Sequence, residues 1–341
     1  MPIVSQPFDP LLYDRELHLV RTFYPLGLPL EISTDSPEVL EAAKESWGMF
    51  EKRFQLPPLE MRLGVLGSKS KVRFRPPVIT GQRGIMTQVV DEHNFMTTNS
   101  DTGFSYGWVT EAVAADRAFL RYYFVEGGFW AMAVPLYLTP IHAACVTHRG
   151  KGVLLCGDSG VGKSTLAYAC ASHGWSFMTD DGSNLVRERC GNTVIGNPFQ
   201  IRLRPSAKSF FPELRALKVS RRLTGKLSIE VPTALRPDIA KITESTVDFI
   251  VFLRRREGKA ELVPYPKEAA FRWFEQSVCY ASHEIRAAQR ASLRRLIGAN
   301  VFELRYSKFT DAIARMELMI CDSERRKNVD DATMAETEVN V

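Results

Sequence analysis

From Ser36 the apolar residues recur at helical spacing. Leu40, Ala43, Trp47 and Phe50 mark one face, Ser36 can cap, and Pro37 suits the first helical position. Ahead of that helix, residues 1–30 alternate apolar and turn residues and read as irregular or strand-like. Residues 60–110 break into short strands between turns, among them Met61–Leu66, Lys71–Arg75 and Gly84–Val90. A second helix is predicted over Thr110–Phe124. Gly127 to Val146 carries no Asp, Glu, Lys or Arg. That is close to the length of a membrane span. Pro135, Pro140 and His142 interrupt it, so the better reading is a buried helix running into a core strand.

The pattern changes after this point. Ala143–Thr147 and Val153–Cys156 read as strands joined by a hairpin turn over His148–Gly152. A helix follows over Lys163–His173, closed by Gly174, and Trp175–Thr179 reads as a strand. Val247–Leu253 is nearly all apolar and reads as a central strand. Helices are predicted over Lys267–Tyr280 and Glu284–Ile297, a strand over Val301–Tyr306 and a helix over Phe309–Ile320. Strands interleaved with helices define an α/β domain. From Ser323 the apolar content falls and a frayed tail is expected.

Composition narrows the class. The 341 residues are 45% hydrophobic and 24% charged, which fits a globular chain of one large or two ordinary domains. The six cysteines, Cys145, Cys156, Cys170, Cys190, Cys279 and Cys321, form no C-x-x-C pair and read as reduced thiols. No secretory signal pattern opens the sequence, so cytoplasm is the expected location.

Residues 157–165 are Gly157-Asp158-Ser159-Gly160-Val161-Gly162-Lys163-Ser164-Thr165, a full match to G-x-x-x-x-G-K-[ST]. The glycines let successive backbone N–H groups point into one concavity, and the following helix N-terminus adds to the anion site. Lys163 can reach β- and γ-phosphates, and Ser164 offers a hydroxyl to Mg²⁺. The apolar strand before the loop and the helix after it supply the required setting. Nucleotide binding is the strongest reading.

Asp180-Asp181 follow the strand Trp175–Thr179. In a βαβ unit that strand runs parallel to the strand before the loop, so both end on the ligand edge of the sheet. The two carboxylates can then divide metal binding and proton acceptance between them. His142 opens the strand paired with the phosphate-loop strand and by itself carries no functional signal.

Net charge is only +5, but residues 202–226 hold eight basic residues and one acid, a balance of +7. Arg202, Arg204 and Lys226 are the best candidates there to stabilise charge on a transferring phosphoryl group. Arg254-Arg255-Arg256, ending the Val247–Leu253 strand, is a further candidate. No aromatic stacking pattern accompanies these charges, so nucleic acid is not the expected partner.

Together, His142-Ala143-Ala144, the Gly152–Ser164 segment and Asp180-Asp181 resemble the catalytic domain of bacterial HPr kinase/phosphorylase. The resemblance covers about residues 140–190. It implies a P-loop α/β kinase domain of the HPr kinase/PEP carboxykinase type over residues 136–322. A smaller α+β region of unknown role, 1–135, precedes it, and the tail of 323–341 follows. It implies an ATP-dependent serine kinase acting on a Ser/Thr hydroxyl of a protein or peptide, with ATP and Mg²⁺ as cofactors. Asp180 then looks like the base, Lys163 the phosphate clamp, Asp181 and Ser164 the Mg²⁺ contacts, and His142 a residue near the transferred phosphate. The chain departs from the family downstream. Ile195–Arg204 lacks the family's Glu, a PGRN-like segment has no counterpart, and Thr165 stands where the family usually has Glu. These departures point away from HPr as acceptor and from the phosphorylase reaction. A nucleotide-binding regulator or ATPase without an acceptor, a scaffold shaped by ATP, and a small-molecule kinase are the rival readings. Homo-oligomerisation stays open.

Overall fold

The structure, a computed structural model, describes residues 16–67, 75–187, 191–223, 225–279 and 281–338, with side-chain surroundings to residue 325. The chain divides into two units, Met1–Leu138 with Cys279–Gln289, and Thr139–Val278 with Arg290–Val341.

The first unit is built on one sheet. Its strands are β1 (Leu19–Phe23), β2 (Leu30–Thr34), β3 (Leu59–Leu66), β4 (Val78–Gln82), β5 (Ile85–Asp91), β6 (Asn94–Asn99) and β7 (Phe104–Thr110), in the order β1-β2-β3-β7-β6-β5-β4. The pairs β2–β3 and β3–β7 are parallel and the other pairs antiparallel. Helix α1 (Pro37–Trp47) buries Val39, Ala42, Ala43 and Trp47. The buried stripe therefore starts at Val39 rather than Leu40. The Ser36 side chain does not cap the backbone, because its hydroxyl is donated to Glu38.

The helix predicted over Thr110–Phe124 is broken. Asp116 leaves helical geometry and its carboxylate accepts from Phe119 N–H, restarting the chain as a new turn. A π-helical stretch, Leu120–Glu126, then leads into α2 (Gly127–Leu136). Later in this unit, buried Gln289 donates to the carbonyls of Val134 and Leu138 and accepts from Cys279 N–H. The predicted strand Lys71–Arg75 lies, but for Arg75, outside the described residues, as do residues 1–15 and Cys190.

The second unit centres on a mixed nine-stranded sheet. Its first strands are β8 (Leu138–Ile141), β9 (Ala144–His148), β10 (Lys151–Cys156), β11 (Ser176–Thr179), β12 (Ser183–Val186) and β13 (Thr193–Ile195), and three more follow a separate small sheet. The small sheet is β14 (Gln200–Leu203), β15 (Val219–Arg221) and β16 (Leu227–Pro232), in the order β14-β16-β15. The last strands of the large sheet are β17 (Glu244–Arg255), β18 (Glu261–Pro264) and β19 (Asn300–Tyr306). Strand β17 is central, parallel to both β10 and β19.

Helices cover both faces. Val153 and Leu155 of β10 point to one side and pack with Leu166, Ala167 and Cys170 of α3 (Lys163–Ser172). Leu154 and Cys156 point to the other side and pack with Ala270 and Phe274 of α4 (Lys267–Glu275) and Leu293 and Leu296 of α5 (His283–Leu296). This inside-on-both-faces pattern is why the strands read as apolar runs. Helix α6 (Phe309–Glu338) continues past Ser323, where fraying was expected.

The strand after the loop helix runs in the same direction as the phosphate-loop strand, as expected, with β9 standing between β11 and β10 and antiparallel to each. The basic segment supplies the end of β14, all of β15 and short 3-10 turns beside the small sheet. Among the described residues no helix is long and apolar enough to cross a membrane. The described cysteines are free thiols.

Candidate functional site

Topology alone gathers the candidate residues of the second unit. Strands β10, β11 and β17 run the same way and finish at one edge of the sheet. Strand β9 runs oppositely and begins there. The same edge therefore receives the loop after Cys156, Asp180-Asp181 after Thr179, Arg255 at the end of β17, and His142 just before Ala144.

The loop is held open by backbone geometry. Gly157, Gly160 and Gly162 have φ of 132°, 97° and 109°, a region in which a Cβ is strongly disfavoured. Gly162 passes directly into α3, whose first residue is Lys163. The Lys163 ammonium is buried and donates to the Gly157 carbonyl at 2.7 Å and more weakly to Asp158 O at 3.4 Å. Burial holds its pKa below the usual lysine range, with the charge of Asp181 opposing.

The aspartate pair is asymmetric. Asp180 is only 7% exposed, while the Asp181 side chain is 55% exposed. Burial, with the neighbouring Asp181 charge adding to it, pushes the Asp180 carboxyl up to about 7. The Arg202 charge and main-chain N–H act against that rise, the N–H donating to Asp180 Oδ2 at 3.1 Å. Asp181 Oδ1 lies 3.1 Å from Nδ1 of His142. Ser164 Oγ donates to the Asp180 carbonyl at 3.2 Å, tying the start of α3 to the end of β11.

These residues line one cleft of about 540 Å³. Of the residues singled out from sequence, His142, Ser159 to Thr165, Asp180, Asp181, Arg202, Arg204 and Lys226 are on its wall. Arg204 Nη2 donates to Ser159 Oγ at 3.2 Å, which brings the small sheet against the loop. Gly157 and Asp158 are not on the wall. The Gly157 carbonyl is taken by Lys163, and Asp158 Oδ1 accepts from the Trp273 indole at 3.4 Å. Of the arginine run, Arg255 lines the cleft and Arg254 turns to Glu303. Arg222, Phe210 and Ser228 also line the cleft, and Trp273 steadies the loop beside it. Their spacing in sequence carries no signal for this, because folding of the small sheet and of α4 brings them there.

The donor set fits a magnesium ion carried in with a nucleotide. Ser164 and Asp181 offer one hydroxyl and one carboxylate. Among the described residues no cluster of three His, Cys, Asp or Glu side chains could cage a metal by itself. Mg²⁺ is commonly held in this way, by one or two protein oxygens with substrate phosphates and water completing the shell.

No family model matches the chain. A stretch of 56 residues is 45% identical to HPr kinase/phosphorylase of Lactobacillus delbrueckii subsp. bulgaricus, covering 16% of this chain and 17% of that protein. The chain thus matches about one sixth of its curated relative's length. The Hpr(Ser) kinase/phosphatase structure from Coxiella burnetii aligns over 57% of this chain and 95% of its own, at 16% identity. Its TM-score of 0.30 is too low to carry an argument. The short curated match supports an HPr kinase-like relationship, and a partial one.

Proposed function

We propose that the protein is an ATP-dependent kinase whose second unit is a P-loop catalytic domain. It transfers the γ-phosphoryl group of ATP to a Ser or Thr hydroxyl of a protein or peptide other than HPr. The observation that carries this reading is the adjacency of the glycine loop to a buried carboxyl with a raised pKa. Ser164 donates to the backbone of Asp180, and both line the same cleft. A nucleotide-binding regulator needs the loop; it has no use for a buried base beside it.

The roles follow from placement. Loop N–H groups and the α3 N-terminus receive phosphate oxygens. Lys163 exchanges its carbonyl partners for the β- and γ-phosphates. Arg202 and Arg204 flank the phosphates from the small sheet. Asp180 accepts the proton of the acceptor hydroxyl as its oxygen bonds to the γ-phosphorus and the bond to the bridging oxygen breaks, releasing ADP. A carboxyl with a pKa of about 7 accepts that proton more readily than an ordinary aspartate would. Ser164 and Asp181 would hold Mg²⁺, which when bound neutralises charge on the phosphates. His142 orients Asp181 through the 3.1 Å contact. Positioning and charge stabilisation carry most of the catalysis.

The test is incubation with MgATP and candidate acceptors, including products of neighbouring genes, followed by mass spectrometric mapping of phosphate on Ser or Thr. Phosphate on an acceptor in the wild type and none with Asp180→Asn is the expected outcome. Phosphate on a sugar, or release of inorganic phosphate with every acceptor unmodified, overturns it.

A further inference from the structure

Arg255 has no assigned part in the chemistry above, yet it stands on the cleft wall. It ends β17, the strand directly beside β10, so it reaches the ligand edge next to the loop. Its cross-strand partner on β19 is Tyr306. The guanidinium carbon lies 4.7 Å from the Tyr306 ring centre, 4.3 Å from that of Phe309 and 5.8 Å from that of Phe210. Nη1 donates to the Ser307 carbonyl at 2.6 Å. Among the described residues that is its one hydrogen bond, and a guanidinium has five N–H donors. Arg255 Nε lies 4.0 Å from where a side chain on Gly162 would begin, beside the point at which the loop becomes α3. No carboxylate is paired with Arg255 among the described residues, whereas Arg254, on the opposite face of the strand, is 3.8 Å from Glu303.

A cation held by ring faces and one carbonyl keeps its charge and most of its donors for a ligand. Ring contacts also fix its plane, which lowers the entropy lost when it binds a planar pair of oxygens. With no carboxylate to neutralise it, the site is made for an anion.

We propose that Arg255 is a catalytic residue that contacts the γ-phosphoryl group, an arginine supplied in cis to the charge that develops during transfer. This rests on the kinase reading above. During transfer the acceptor oxygen bonds to the γ-phosphorus, the bond to the β,γ-bridging oxygen breaks, and the proton passes to Asp180. Arg255 forms and breaks no covalent bond. It donates N–H to the non-bridging γ-oxygens, whose charge Lys163 shares from the loop side. Tyr306, Phe309 and Phe210 are positioning residues that hold it.

The experiment compares ATP and ADP binding by calorimetry, which needs no acceptor. Arg255→Ala and Arg255→Gln should weaken ATP by at least about tenfold, the size of a lost charge-assisted hydrogen bond, and leave ADP within about twofold. Arg255→Lys should fall between, because it keeps charge and loses the fork. Arg254→Ala should change neither. Binding of ADP with aluminium fluoride, which mimics the transferring group, should suffer more than ATP in Arg255→Ala. Unchanged ATP affinity in both Arg255→Ala and Arg255→Gln, or equal weakening of ATP and ADP, overturns the assignment. Lys163→Ala separates the two readings: if it too leaves ATP affinity unchanged, the phosphate-loop reading itself is wrong.

Discussion

Lys163 and Asp180 are both buried at the cleft, and burial moves each toward its neutral form. For Lys163 the loop carbonyls stand where phosphate oxygens are proposed to bind. Lys163→Ala should therefore weaken ATP binding by about 10- to 100-fold, read by titration, with the fold intact by circular dichroism. For Asp180 the sign of the pH effect is fixed by its raised pKa. A base must be ionised to work, so transfer rate should climb with pH through about 7, and Asp180→Asn should abolish that limb. Stability moves the other way. The folded state holds this proton more tightly than the unfolded chain, so the contribution of Asp180 is greatest below about pH 4 and is lost as pH rises toward 7. Urea unfolding of wild type and Asp180→Asn across that window checks it; parallel curves would contradict the raised pKa. The residue types at this site were legible in sequence because the glycines, lysine and hydroxyl of the loop sit at fixed spacing. Their unequal burial was not, since it depends on Arg202 arriving from β14, 22 residues further along the chain.

At the scale of elements, periodicity located β9, β10, α3, β17 and β19 to within a few residues. It located β11 as well, while apolar alternation says which residues form a strand and nothing about which strand is its neighbour. Inserting β9 antiparallel between β11 and β10 leaves β10 and β11 co-directional, which is why the loop and the aspartates share an edge. The same insertion explains His142, which belongs to the strand that starts where its neighbours stop. Helix ends were the miss: the chain from Thr110 breaks at Asp116, whose own carboxylate offers the next turn a cap. Pairing of β10 with β17 also depends on Gly152. A Cβ there would lie 2.0 Å from the Thr246 carbonyl. Gly152→Ala should cost about 1–3 kcal/mol as β10 is forced from β17, seen as a lower urea midpoint.

Across the whole molecule, the modest +5 resolves into a +7 segment and a remainder that is slightly acidic. The structure uses that segment unevenly. Arg202, Arg204, Arg222 and Lys226 line the cleft, whereas the Lys208 ammonium is spent on the carbonyls of Arg215 and Leu217. Composition could weigh the segment and could not sort it. The first unit carries its own sheet and core, and nothing in its sequence pattern names a chemistry. A ligand bound by the second unit stabilises the fold it binds by mass action. MgATP at about 100 times its wild-type Kd should therefore add about 2.7 kcal/mol to wild type and only about 0.4–1.4 kcal/mol to Lys163→Ala, seen as a smaller rise in the unfolding midpoint.

The central claim is transfer of a phosphoryl group by a base beside the phosphate loop. It is tested most directly by following label from [γ-³²P]ATP at saturating MgATP, with wild type and Asp180→Asn compared at equal nucleotide occupancy. Label appearing on Ser or Thr of an acceptor with wild type, and falling to background with Asp180→Asn while ATP stays bound, is the expected result. Acceptor labelling that survives Asp180→Asn, or bound ATP that labels no acceptor with wild type, would contradict it.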